Sequence, residues 1–134
     1  MQLKDIVCDL EYAKRLKELG IKQDTLFSFT TYTKKFNEAY HVSVVESKIL
    51  ETYEGINTFT TDELLEMLPP HLSYDRFGIN SFDIGKFNDG VGYISGYFDD
   101  DYTMIKFIDN KLPNTSAQLL IWCIENGHTN LKLN

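Results

Sequence analysis

The chain has 134 residues, 43% of them hydrophobic and 25% charged, with a formal net charge of −7; such values describe one ordinary folded core and exclude a disordered chain. The charge is uneven: residues 1–48 carry 8 Lys+Arg against 7 Asp+Glu, whereas residues 49–134 carry 5 against 13. An acidic surface disfavours phosphate contact, which argues against direct nucleic-acid binding and makes a basic protein the partner that the charge suits.

In chain order, the first helix is expected over Leu10–Leu19. Asp9 stands at its N-cap, Leu10, Ala13, Leu16 and Leu19 form an apolar stripe, and Gly20 with Ile21 supplies a Schellman stop. Leu26–Tyr32 and Tyr40–Glu46 are rich in β-branched and aromatic residues and read as two strands joined by a turn near Lys34–Glu38. Ser47–Asn57 fits neither period. Thr60-Thr61-Asp62-Glu63 is a capping box with Phe59 and Leu64 at staple positions, and Pro69-Pro70 ends that second helix.

Asn80–Phe87, Val91–Phe98 and Tyr102–Ile108 form a meander, turning at Asn88-Asp89-Gly90 and Asp99-Asp100-Asp101. A third helix is expected from about Thr115, with Gln118 completing a capping box, to Asn126, stopped by Gly127. Its apolar residues run nearly all round, the pattern of a helix central to a core or to an interface. The expected fold is therefore a single α+β domain over 1–134. It has an antiparallel sheet of about five strands and three helices, in the order α-β-β-α-β-β-β-α.

Motifs for chemistry are missing. His41, His71 and His128 are isolated, expected on a strand, a post-helix loop and a C-terminal tail, and neither H-x-x-x-H nor C-x-x-C spacing occurs. Cys8 precedes a helix start, a place that can lower a thiol pKa, but has no assignable partner; both Cys8 and Cys123 sit among apolar residues and read as free buried thiols. The glycines of 85–92 join strand to strand and cannot form a P-loop, and Gly92 and Gly96 read as sites of close approach. A site assembled from Asp83, Asp89, His41 and Tyr93 is the enzymatic alternative. The expectation is no catalytic, cofactor or metal site and no cofactor, with Asp99, Asp100, Asp101 and Trp122 as the candidate interaction surface.

Three stretches carry a resemblance: Ala13 to Phe27 (AKRLKELGIKQDTLF), Thr60 to Pro69 (TTDELLEMLP) and Ala117 to Gly127 (AQLLIWCIENG). In that order they resemble small uncharacterised proteins of bacterial phages and prophages, including those of gut Bacteroidetes. The resemblance implies an origin and an accessory role, with no transferable site residue. Met1–Lys17 carries charges throughout where a leader would need an apolar run, and Leu119–Ile124 is too short to span a bilayer. A cytoplasmic place in the bacterial host, with no membrane partner, is the expectation. The expected role is protein binding without catalysis; a homo-oligomeric scaffold, or an acidic inhibitor mimicking nucleic acid, is the alternative.

Overall fold

A computed structural model describes residues 2–33, 40–49, 55–74, 78–86, 92–98, 103–129, 131 and 133. The turns at 34–39, 88–90 and 99–101 lie outside the described residues, and so do Asp89, Asp99, Asp100 and Asp101.

The fold is α+β with three helices, as expected, but its strands number seven among the described residues and form two antiparallel sheets. After α1 (Leu10–Glu18), β1 (Phe27–Thr33), β2 (Tyr40–Glu46) and β3 (Gly55–Thr58) make a three-stranded sheet in the order β2-β1-β3. After α2 (Thr61–Met67), β4 (His71–Tyr74), β5 (Gly78–Lys86), β6 (Tyr93–Phe98) and β7 (Thr103–Asp109) make the second sheet in sequence order, and α3 (Leu112–Glu125) follows. The single five-stranded sheet is thus corrected. The two additional strands, β3 and β4, have four residues each, too few to display a period of two. β3 lies in the segment that fitted neither period, and β4 follows Pro69-Pro70, so His71 is on a strand and not in a loop. Each is held as an edge strand by register with a longer neighbour, β3 on β1 and β4 on β5.

The helix stops follow from glycine. Ile21 N–H donates to Leu16 C=O and Gly20 N–H to Lys17 C=O, each at 3.0 Å, with Gly20 at φ 90°. The end of α3 repeats this: His128 N–H reaches Cys123 C=O and Gly127 N–H reaches Ile124 C=O, with Gly127 at φ 74°. Both are Schellman motifs. The α2 capping box is complete, with Glu63 N–H donating to Thr60 Oγ1 and Thr60 N–H to Glu63 Oε1.

Two helix starts differ from expectation. Asp9 occupies the N-cap of α1, but its side chain caps no backbone N–H. Its carboxylate instead accepts from the Lys111 ammonium and the Asn114 amide, and a charged donor outweighs a neutral backbone one. Helix α3 begins three residues before Thr115, with Pro113 in the first turn, where its missing N–H is no loss. Thr115 is therefore inside the helix, and its hydroxyl donates back to Leu112 C=O at 2.9 Å.

Helix α3 is the hub, touching β6, β7, α2 and α1, while α1 also packs on β3 and so joins the two sheets. Val7 bridges Thr60, and Cys8 N–H donates to Phe59 C=O at 3.0 Å. Cys8, Ala13, Leu16, Phe59, Leu64, Tyr97, Leu119 and Leu120 lie in one buried cluster. On β6 the inward side chains are Ser95 and Tyr97; Gly96 faces outward beneath the Phe98 ring.

Candidate functional site

Buried polar groups come first, because each demands a partner. Asn114, 1% exposed, accepts from Asp9 N–H at 2.8 Å and donates to Asp9 Oδ2 at 2.9 Å and to Asp109 Oδ1 at 3.1 Å. Lys111 Nζ donates to Asp9 Oδ1 at 2.6 Å and to Lys4 C=O at 2.7 Å. Partial burial raises the Asp9 pKa, but the Lys111 and Asn114 hydrogen bonds and the Lys111 charge outweigh it and hold the carboxyl below its usual range. This clasp fastens residues 4–9 to the β7–α3 turn. Its members satisfy one another, so it reads as architecture.

A second group is made of hydroxyls. Ser95 Oγ lies 2.7 Å from Thr115 Oγ1 and 3.4 Å from Ser116 Oγ, all three buried where α3 crosses β6. These small side chains let helix and strand approach closely. Tyr97 donates its hydroxyl to Pro69 C=O at 2.6 Å, tying β6 to the end of α2.

The thiols are free and buried. Burial pushes the Cys8 thiol up, against the smaller opposing pull of Thr58, the Phe59 backbone and Lys111. Burial likewise pushes Cys123 up to about 11. Neither is a thiolate at neutral pH, so the lowered pKa that a helix start can give a cysteine is absent at Cys8.

The residues weighed for an enzymatic site are not brought together where the structure describes them. Asp83 pairs with Gly96 and Tyr93 pairs with Lys86, so alternation places Asp83 and Tyr93 on opposite faces of the sheet. His41 belongs to the other sheet. Among the described residues no three His, Cys, Asp or Glu side chains gather at one point. No helix among the described residues is long and apolar enough to cross a membrane. The described acids do not share one face either, because Asp83 points away from the side of the sheet that carries α3 and its Glu125.

Trp122 stands elsewhere, on a groove between α1 and α3. Gln118, Ile121, Trp122 and Glu125 follow one another at i, i+3, i+4 and i+7 on α3, and Glu11, Tyr12 and Arg15 face them from α1, with Phe107 of β7 beneath. The cavity measures about 350 Å³, at the small end of the range for ligand sites. Tyr12, Phe107, Ile121 and Trp122 are half-buried and supply its apolar surface. His128 stacks on the Trp122 ring with centroids 5.0 Å apart, which fixes the indole.

Polar groups ring this surface. Arg15 donates through Nε and Nη2 to Glu125 Oε1, at 3.1 and 2.9 Å, and through Nη1 to Glu18 Oε2 at 3.2 Å. Gln118 Oε1 is buried and has no hydrogen-bond partner. Burial, then the charges of Glu11, Asp109 and Asp9, raise the Tyr12 phenol pKa.

Of the residues expected to form an interaction surface, Trp122 alone lines this groove. The helical spacing of Gln118 to Glu125 is legible in the sequence, but nothing there marks Glu11, Tyr12 and Arg15 of α1 as its partners. A wider cleft of about 960 Å³ lies between the starts of α2 and α3, lined by Asp62, Glu63, Glu66, Tyr93 and Lys111 among others. Glu63 and Lys111 are already committed there, to the α2 capping box and to Asp9. The chain matches no protein-family model, and no curated protein or solved structure shares significant similarity with it.

Proposed function

We propose that the chain is a non-catalytic accessory protein of a phage or other mobile element, acting by binding a partner protein through the α1–α3 groove. The mobile-element origin is supported by the resemblance of the three helical stretches alone. The observation that carries the binding reading is the groove itself. It combines aromatic and aliphatic side chains with a buried, unpartnered acceptor on Gln118, whereas the Asp9–Asn114 clasp and the Ser95–Thr115 hydroxyls are internally satisfied and the other unpartnered buried oxygens, on Gln23 and Thr30, lie away from this hollow. Aromatic residues in a half-exposed hollow are the usual anchors of protein recognition.

A photocrosslinking side chain placed at Tyr12 of the full chain, expressed in a bacterial host, should capture a discrete partner. Ile121→Arg should abolish that capture while leaving the circular dichroism unchanged. Crosslinks that persist unaltered in that variant would refute the reading.

Self-association is the second reading, favoured by β7. This seven-residue strand forms one edge of its sheet, and Ile108 on it is 45% exposed. Light scattering at two concentrations separates the two, since the mass of a monomer at both concentrations sinks self-association.

A further inference from the structure

We infer that the α1–α3 groove takes a lysine or arginine side chain presented by an apolar segment of the partner protein. The inference rests on the reading of this groove as the binding surface and names what enters it.

The first support is charge. Of the charged residues that line the groove, Glu11 and Glu125 stand against Arg15, a local net charge of −1, and Glu18 reaches Arg15 from the next turn of α1. Arg15 is held by both Glu18 and Glu125, so its guanidinium is already matched and Glu11 is left to face the opening. Burial is the main cause of the raised Tyr12 phenol pKa, and the charges of Glu11, Asp109 and Asp9 add to it. A cation entering there is drawn in, while a carboxylate is repelled.

The second support is the lining. The aliphatic stem of a lysine or arginine packs on apolar surface while its head stays polar. Ile121 and Phe107 suit the stem, and the aromatic rings of Trp122 and Tyr12 suit the cationic head. The third is Gln118. Its Oε1 lacks a donor and is closed to solvent, so a turn of the Gln118 side chain toward the cavity would offer it to an ammonium or guanidinium, which carries several N–H groups and no acceptor. An apolar side chain would leave that oxygen unsatisfied.

The shape selects a protein segment over a small free cation. The α3 row from Gln118 to Glu125 spans eight residues, roughly 10 Å at the helical rise, and α1 runs alongside it. Such a trough accommodates neighbours on either side of one inserted side chain.

The test is panning of a random 12-residue peptide library on the full chain, with Ile121→Arg as counter-target. Synthetic copies of the recovered peptides are then titrated against the emission of Trp122, the only tryptophan present. The expected peptides carry Lys or Arg flanked by apolar residues and move the Trp122 emission. Their affinity should fall with added salt and drop about tenfold in Glu11→Lys, an exposed-site substitution that leaves the core intact.

Recovered peptides that depend on Ile121 but are acidic or wholly apolar overturn this inference and leave the binding reading standing. Basic peptides whose affinity is unchanged in Glu11→Lys and in high salt overturn it equally. Peptides that ignore Ile121 and leave the Trp122 emission unmoved overturn the binding reading, and this inference with it.

Discussion

Removing the Asn114 side chain perturbs the clasp at its centre. Asn114→Ala deletes one hydrogen bond accepted from Asp9 N–H and two donated to the carboxylates of Asp9 and Asp109. A neutral bond contributes about 1 kcal/mol net and a bond to a charged group about 1.5 kcal/mol or more, so the three sum to about 4 kcal/mol. Two features reduce this. Asp9 keeps Lys111 as a partner, and its side chain is 49% exposed, so water replaces part of what is lost. The expected destabilisation is about 2–3 kcal/mol, a large fraction of the 5–15 kcal/mol typical of a whole domain. Urea unfolding followed by circular dichroism reads it as a midpoint lowered by about 0.7–3 M at unchanged slope, for slopes of about 1–3 kcal/mol per M. Asn114→Asp is nearly isosteric, yet it sets a third carboxylate between Asp9 and Asp109 and should cost more at neutral pH than the alanine. A loss below about 0.5 kcal/mol for Asn114→Ala would show that the clasp contributes little net stability and refute the reasoning.

The same clasp predicts an acid limb. The folded Asp9 pKa is lowered, so its contribution is full above the ordinary value of 3.8 and is lost as pH falls through the folded value. Lys111→Met removes the ammonium and should flatten stability against pH below about 4 in acid titrations. On the alkaline side the sign reverses. Cys8 and Cys123 are raised, so unfolded thiols ionise first, and stability should fall with pH from about the ordinary value of 9.0 toward 11. In the native state neither thiol should react with a disulfide reagent at neutral pH, and both should react in denaturant; a fast native thiol would contradict the burial. Gly96→Ala would place a Cβ 2.4 Å from Ile105 C=O and 2.8 Å from the Phe98 ring. Since backbone must shift, a loss of about 1–3 kcal/mol is expected in denaturation, against less than about 0.5 kcal/mol for Gly85→Ala, where nothing lies within 4 Å.

Legibility followed the range of the interaction. Helix stops at Gly20 and Gly127 and the capping box at Thr60 depend on residues a few positions apart, and local chemistry decides them. The longer strands were legible for the same reason, from β-branched and aromatic runs. Strands β3 and β4 were not, because four residues hold no pattern of their own and only register with β1 and β5 makes them strands. Division into two sheets was equally hidden, since the α1 contacts with β3 and α3 join segments far apart in the chain.

Asp9 shows how a correct local signal receives a different use. Its position and backbone are those of an N-cap, and any reading confined to residues 9–13 assigns its carboxylate to the helix. What redirects it lies more than a hundred residues away, in the Lys111 ammonium and the Asn114 amide. That exchange has a structural consequence for the groove. By fastening the start of α1 to the start of α3, the clasp sets the relative placement of the two helices whose later turns carry Tyr12, Arg15, Ile121 and Trp122. The Arg15–Glu125 pair closes the same alignment at the other end. It lies at the surface, where such a pair contributes at most about 1 kcal/mol, so the part-buried clasp centred on Asn114 is the stronger determinant of the groove. Asn114→Ala should therefore shift the Trp122 emission of the folded protein, although Asn114 does not line the cavity. An emission spectrum identical to that of the parent chain would mean that α1 and α3 are aligned by core packing at Ala13, Leu16 and Leu120 alone.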